Sequence, residues 1–149
     1  MERILPISKP KSFDCYHDSL THHYAAPVFY DALKREISFA KRERNLIGVI
    51  KFVLPLNTSE DQLLYFANEL ELSVRQHDLI ARIGSREFAV LLRFDTEIEA
   101  ACEALIFRIR QQERRKFHFG VVISDGTKGL VQVLENLDNP QILRAANTL

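Results

Sequence analysis

The chain has 149 residues, of which 46% are hydrophobic and 27% charged, with twenty basic residues balancing twenty acidic ones. That length fits one domain with its own core, and the composition is that of an ordinary globular protein. A formal net charge of zero excludes a global field that would draw the chain to nucleic acid or to an acidic membrane.

Residues 1–17 carry Pro6 and Pro10 without sustained periodicity and read as a tail or linker, with a domain over 18–149. Residues 27–44 read as a helix: Pro27 suits its first turn, and Phe29, Leu33, Ile37 and Ala40 recur at helical spacing. Residues 46–54 are nearly all apolar, which predicts a central strand buried on both faces, stopped by Pro55. Thr58 or Ser59 is the candidate cap of a second helix. Glu60 and Asp61 stand in its first turn, and Leu63, Ala67, Leu70 and Val74 form its buried stripe. A hairpin follows, with strands near 79–83 and 87–93.

Residues 96–115 form the clearest helix, with Ile98, Ala101, Cys102, Leu105, Ile106 and Ile109 on one stripe. Phe117–Ser124 reads as a last core strand, Asp125-Gly126 as a turn, and Leu130–Leu137 as a short helix before Pro140. A helix is the expectation for 141–149. The order is β-α-β-β-α-β behind a leading helix, an α+β arrangement with an antiparallel central sheet and helices on one face. Many activities use that arrangement.

Cys102 lies on an apolar helix face and Cys15 is remote from it. Neither has a partner at metal-ligand spacing, so a buried free thiol is expected at 102. Residues 1–6 lack an apolar run of signal-peptide length. No stretch reaches the ~20 apolar residues of a membrane span, and the expectation is a cytoplasmic protein. The basic run at 108–116 reads as a solvated helix end. His17, His22 and His23 beside Asp18 read as a solvated cluster rather than a metal site. Phe117 and Phe119 read as ordinary sheet side chains rather than an RNA-binding face.

Residues 78–92 carry a turn, Gly84-Ser85-Arg86-Glu87-Phe88, between two apolar strands. Asp18-Ser19-Leu20-Thr21 opens the domain, and Arg75-Gln76-His77-Asp78 precedes the hairpin. In order and spacing these resemble the GGDEF domains of the diguanylate cyclase family. Their turn is Gly-Gly-Asp/Glu-Glu-Phe, their opening motif Asp-x-Leu-Thr, and their inhibitory product site Arg-x-x-Asp. The resemblance covers most of 18–124 and implies the nucleotidyl-cyclase-like fold.

It also implies a loss of catalysis. Joining two GTP molecules needs metal ions held by carboxylates. The family takes these from Asp-x-Asp in the first strand and from the turn. Here the strand positions are Lys51-Phe52-Val53 and the turn position is Arg86, leaving Glu87 alone. Ser85 replaces a glycine that lets backbone approach phosphate. The loop after the first strand is shorter than the family's guanine-reading loop, with Asn57 as its only imitation of that contact.

The inhibitory motif is kept. An Arg fork can address the O6/N7 edge of guanine while an Asp accepts from guanine donors. The resemblance therefore implies a cyclic di-GMP site made by Arg75, Asp78 and, from the following helix, Arg108. The bland alternative for Arg75 and Asp78 is a surface ion pair worth under about 1 kcal/mol. Lys51 and Arg86 pose a similar choice, between a small anion pocket and pairing with Glu87 or another carboxylate.

The expectation is a non-catalytic regulatory domain that receives cyclic di-GMP, needs no cofactor and has a protein partner or a second copy. Two rivals stay open: a nucleotide-free protein-interaction or dimerisation scaffold, and a residual nucleotide-processing enzyme using Glu87.

Overall fold

The computed structural model describes residues 16–139 and 144–146. Its elements in chain order are β1 (Tyr24–Ala25), α1 (Ala26–Glu43), β2 (Ile47–Val53), α2 (Glu60–Ser73), β3 (Leu79–Gly84), β4 (Glu87–Leu92), α3 (Ile98–Gln112), β5 (Phe117–Ser124), α4 (Leu130–Leu137) and β6 (Arg144–Ala146). The sheet order is β1-β3-β4-β2-β5-β6. All pairings are antiparallel except β1 with β3, which is parallel. The expected β-α-β-β-α-β core is the run from β2 to β5, with β2 at its centre.

Alternation along the strands builds two cores. Ile50 and Phe52 of β2, Phe88, Val90 and Leu92 of β4, and Phe117 and Phe119 of β5 point to one face, where α2 and α3 cover them. Ile47 and Val49, Ala89 and Leu91, and Val122 point to the other, against Phe29, Leu33 and Ile37 of α1 and Val133 and Leu137 of α4. Helices therefore lie on both faces and not on one. The two crossover helices share a face as expected, while α1 and α4 close the opposite one. Helical periodicity reports that a stripe is buried, but not which side of the sheet buries it.

The ends of the elements have local causes. Ser59 caps α2: its hydroxyl accepts from the Gln62 N–H, and the Gln62 side chain accepts from the Ser59 N–H at 2.9 Å. The helix stops at Ser73. Val74 is its extended C-cap, half-buried and packed against the same core, and the fully buried Phe66 joins the stripe. The expected 96–115 helix is shorter at both ends. Asp95 accepts from the Glu97 N–H at 2.8 Å in the turn before it, and Glu113 leaves the helix in extended conformation to pair with Arg115.

The expectation of a helix over 141–149 fails where the structure describes it. Residues Arg144–Ala146 form β6, paired to Phe117–Phe119, with Ala146 fully buried. The rest of that stretch, like residues 1–15 with Cys15, lies outside the described residues. Gly48 is where α3 approaches β2, since a Cβ there would overlap Cys102 Sγ and come within 3.0 Å of Ile98. Cys102 is the buried free thiol expected, and burial pushes its pKa up to about 12.

Candidate functional site

The opening motif and the hairpin are joined by a buried ion pair. Asp18 folds its own turn by accepting from the Thr21 N–H and hydroxyl, both at 2.9 Å. The same carboxylate meets the Arg82 guanidinium at 3.3 Å, with both side chains fully buried. Arg82 also donates to the Ser85 carbonyl at 2.9 Å, so the turn hangs on this arginine. Burial works to raise the Asp18 pKa, but the Thr21 N–H, the Arg82 charge and the Thr21 hydroxyl together hold it below the usual range. Sequence reading missed Arg82. Its signal is a charge at the same strand parity as Ile80, whose side chain enters the core.

At the signature turn, Lys51 points to the α1/α4 face with Glu87. On the antiparallel β2/β4 pair, Lys51 stands opposite Ala89 and Glu87 opposite Val53, which makes Lys51 and Glu87 diagonal neighbours. The Lys51 ammonium, only 12% exposed at its side chain, pairs with Asp138 beyond α4 and with Glu87 at 3.6 Å. Burial opposes its charge, but Asp138 and Glu87 outweigh burial and raise its pKa. Arg86 turns elsewhere. It donates to the Leu54 carbonyl at 3.0 Å, and its own carbonyl accepts from the Leu54 N–H at 2.8 Å. Of the two sequence alternatives at this place, carboxylate pairing is the one the geometry displays for Lys51.

The loop after β2 is a tight turn that runs straight into the α2 cap. Thr58 donates to the Pro55 carbonyl through both its hydroxyl and its N–H, and Asn57 is exposed. Among the described residues no group of three or more His, Cys, Asp or Glu is placed to hold a metal ion. His23 is buried against the Ala67 carbonyl at 3.0 Å, and burial pushes its pKa down. Among the same residues no helix is long and apolar enough to cross a membrane.

The Arg-x-x-Asp segment lies between the end of α2 and the start of β3 and closes on itself. The Asp78 N–H donates to the Arg75 carbonyl and the Arg75 N–H donates to Asp78 Oδ2, each at 3.0 Å. The Asp78 side chain is 2% exposed, with Arg75 Nε at 3.6 Å from Oδ2. Its second oxygen, Oδ1, is buried and makes no hydrogen bond; His77 Nε2, also unbonded, stands 3.8 Å away. An uncompensated buried carboxylate oxygen is costly.

Arg75 reaches across to the β4–α3 turn, where Nη1 donates to Asp95 Oδ2 at 2.6 Å. That bond, with Asp78 nearby, raises the Arg75 pKa. Asp95 is a second residue that sequence reading missed. The Glu97 N–H and Arg75 hold its pKa below the usual range. Arg93 braces the segment from below, donating to the His77 carbonyl at 3.0 Å and to Glu36 of α1 at 2.6 Å.

Arg75, Asp78 and Arg108 line one groove of about 230 Å³, together with Asp95, Ala104 and Leu105. The three residues named from sequence thus converge, although Arg108 lies on a different element. Arg108, Arg110, Arg114 and Lys116 are exposed, whereas Arg115 is half-buried on Glu113 and Thr58.

No family model matches the sequence, and no curated protein matches it. Solved structures do resemble the fold. The GGDEF domain of TpbB (YfiN) from Pseudomonas aeruginosa is 21% identical, over 83% of this chain and 84% of that one, with a TM-score of 0.72. The GGDEF domain of DgcB from Caulobacter crescentus, in complex with c-di-GMP, is 18% identical over 86% and 88%, with a TM-score of 0.75. The diguanylate cyclase SiaD from Pseudomonas aeruginosa, in complex with its activator SiaC, is 19% identical over 82% of this chain and 55% of that one, with a TM-score of 0.71. At these identities the likeness is one of fold. Element order, sheet topology and these neighbours together give the chain the α+β fold of a GGDEF domain.

Proposed function

We propose that this chain is a non-catalytic GGDEF-like regulatory domain that receives cyclic di-GMP through Arg75, Asp78 and Arg108. The observation that carries the reading is the convergence of these three side chains on one groove. A buried, unbonded Asp78 oxygen stands beside a partly exposed guanidinium there. Turned out of its contact with Asp95, that guanidinium fork would bring donors, with the Asp78 carboxylate behind it as acceptor, to the polar edges of guanine. A groove of about 230 Å³ is below the roughly 300 Å³ of an ordinary ligand pocket. On this reading a base would enter it, and the rest of the dinucleotide would lie on the surface on the side of Arg108. DgcB, of the same fold, has been solved with c-di-GMP.

The non-catalytic half rests on the corner around Lys51. A divalent cation needs oxygen ligands. At the strand position stands an ammonium, and the remaining turn carboxylate, Glu87, already pairs with it. Arg86 spends its guanidinium on the Leu54 carbonyl. The residues present do not fit a metal site, and no chemical step is assigned to them.

Titration calorimetry with cyclic di-GMP tests the receptor. Binding is expected, and Arg75→Ala should abolish it with the fold intact by circular dichroism. No heat at high micromolar ligand overturns the reading. Incubation with GTP and magnesium should yield no cyclic di-GMP; its formation would refute the non-catalytic half. A second reading, a protein-interaction scaffold, is favoured by Leu72 of α2 and Phe107 of α3, which are 72% and 63% exposed. Sedimentation at rising concentration distinguishes self-association from a monomeric receptor.

A further inference from the structure

The groove holds a carboxylate that the receptor reading does not use. Arg75 has two donor edges. The Nε edge faces Asp78 at 3.6 Å, and Nη1 is bonded to Asp95 at 2.6 Å. Bidentate contact with the O6/N7 edge of a guanine needs two adjacent N–H groups on one side of the guanidinium. With Nη1 bonded to Asp95 and Nε turned toward Asp78, each edge has one nitrogen already facing a carboxylate.

We propose that Asp95 is an affinity-setting residue of this groove: a resident acceptor that holds Arg75 in the place of the incoming base and must be displaced for ligand to bind. The inference rests on the reading of the groove as a cyclic di-GMP site. Three observations support it. Asp95 lines the same groove as Arg75, Asp78 and Arg108. Its two oxygens divide the work: Oδ2 accepts from Arg75, while Oδ1 accepts from the Glu97 N–H at 2.8 Å. Releasing Arg75 therefore leaves the Asp95 turn intact. Finally, the Asp95 side chain is 22% exposed and that of Arg75 42%, so water can replace the lost contact and the exchange with ligand is shallow.

The ion pair is partly solvated, which bounds its effect on affinity at about two- to fivefold. Asp95→Asn keeps an oxygen for the Glu97 N–H and removes the charge that holds Arg75. Losing any carboxylate near a dianionic ligand strengthens binding somewhat. Glu97→Gln, two residues away with an exposed side chain, measures that charge-only gain. Calorimetry with cyclic di-GMP is run on the wild type, on both single variants, and on Asp95→Asn combined with Arg75→Ala.

The expected result is tighter binding by Asp95→Asn than by Glu97→Gln, with all binding lost in the double variant. Equal affinities for Asp95→Asn and Glu97→Gln would overturn the role of Asp95 while leaving the site standing. An absence of binding in every protein, Asp95→Asn included, would overturn the site itself and the role of Asp95 with it.

Discussion

Removing Arg82 tests how the signature hairpin is held. In Arg82→Met the carboxylate of Asp18 stays fully buried and loses its cation. Breaking one side of a buried pair costs about 3–5 kcal/mol. The contacts here are long for a charged pair, at 3.3 Å, and Asp18 keeps its two Thr21 bonds. The loss should therefore fall at the lower end, about 3 kcal/mol. For a domain of this length that is a fall of roughly 6–12 °C in melting midpoint.

The pH dependence has a definite sign. The wild-type Asp18 pKa is lowered, so its contribution is present above the unfolded value and fades as pH falls through the folded one. In the variant, burial is opposed by the Thr21 bonds alone and the carboxyl pKa rises relative to wild type. The gap between wild type and variant is then widest near pH 7 and narrows toward pH 4. Melts followed by circular dichroism at both pH values measure it. Adding Asp18→Asn, which keeps an acceptor for Thr21, should recover at least half of the loss. A gap under about 2 °C at pH 7, or one that does not narrow in acid, would refute the argument.

Other expectations are as concrete. Lys51→Met should cost about 1 kcal/mol at pH 7, because its partner Asp138 is 62% exposed. The Lys51 pKa is raised, so the difference from wild type is full below the unfolded value and closes as pH climbs through the folded one, which denaturant titrations at pH 8 and 11 would show. Ser59→Ala removes one side of the α2 capping box and should cost about 1 kcal/mol by urea denaturation. Gly48→Ala drives a methyl into Cys102 and Ile98 and should cost about 1–3 kcal/mol; pairing it with Cys102→Ala should return much of that. The Cys102 thiol, with its pKa pushed up to about 12, should resist iodoacetamide at pH 8 until the protein is unfolded.

Elements with a strong pattern over many residues were legible from sequence. The bounds of β5 and α4 coincide with Phe117–Ser124 and Leu130–Leu137, and β2 differs from its expected range by one residue at each end. Short elements were not legible: β1 has two residues and β6 three, too few for any period to register. The placement of α1 and α4 on the second face was also hidden, since amphipathic stripes carry no partner label. In the groove, the Arg-x-x-Asp spacing and Arg108 could be read because a resemblance pointed to them. Asp95, Arg82 and Asp138 could not, because their roles come from partners 20, 64 and 87 residues away. Those distances are closed by the sheet and by no local rule.

The ammonium of Lys51, set between Glu87 and Asp138, is an ion on a leash. A dissociable cation at such a corner would load and unload with its concentration, and a chelator could strip it. A charge on a four-carbon stem has no such equilibrium with the bulk. It is present at fixed stoichiometry in every folded molecule, whatever the magnesium or nucleotide level outside. The charge at the corner that joins β2, the hairpin and the end of α4 is thereby independent of the concentration of any dissolved cation.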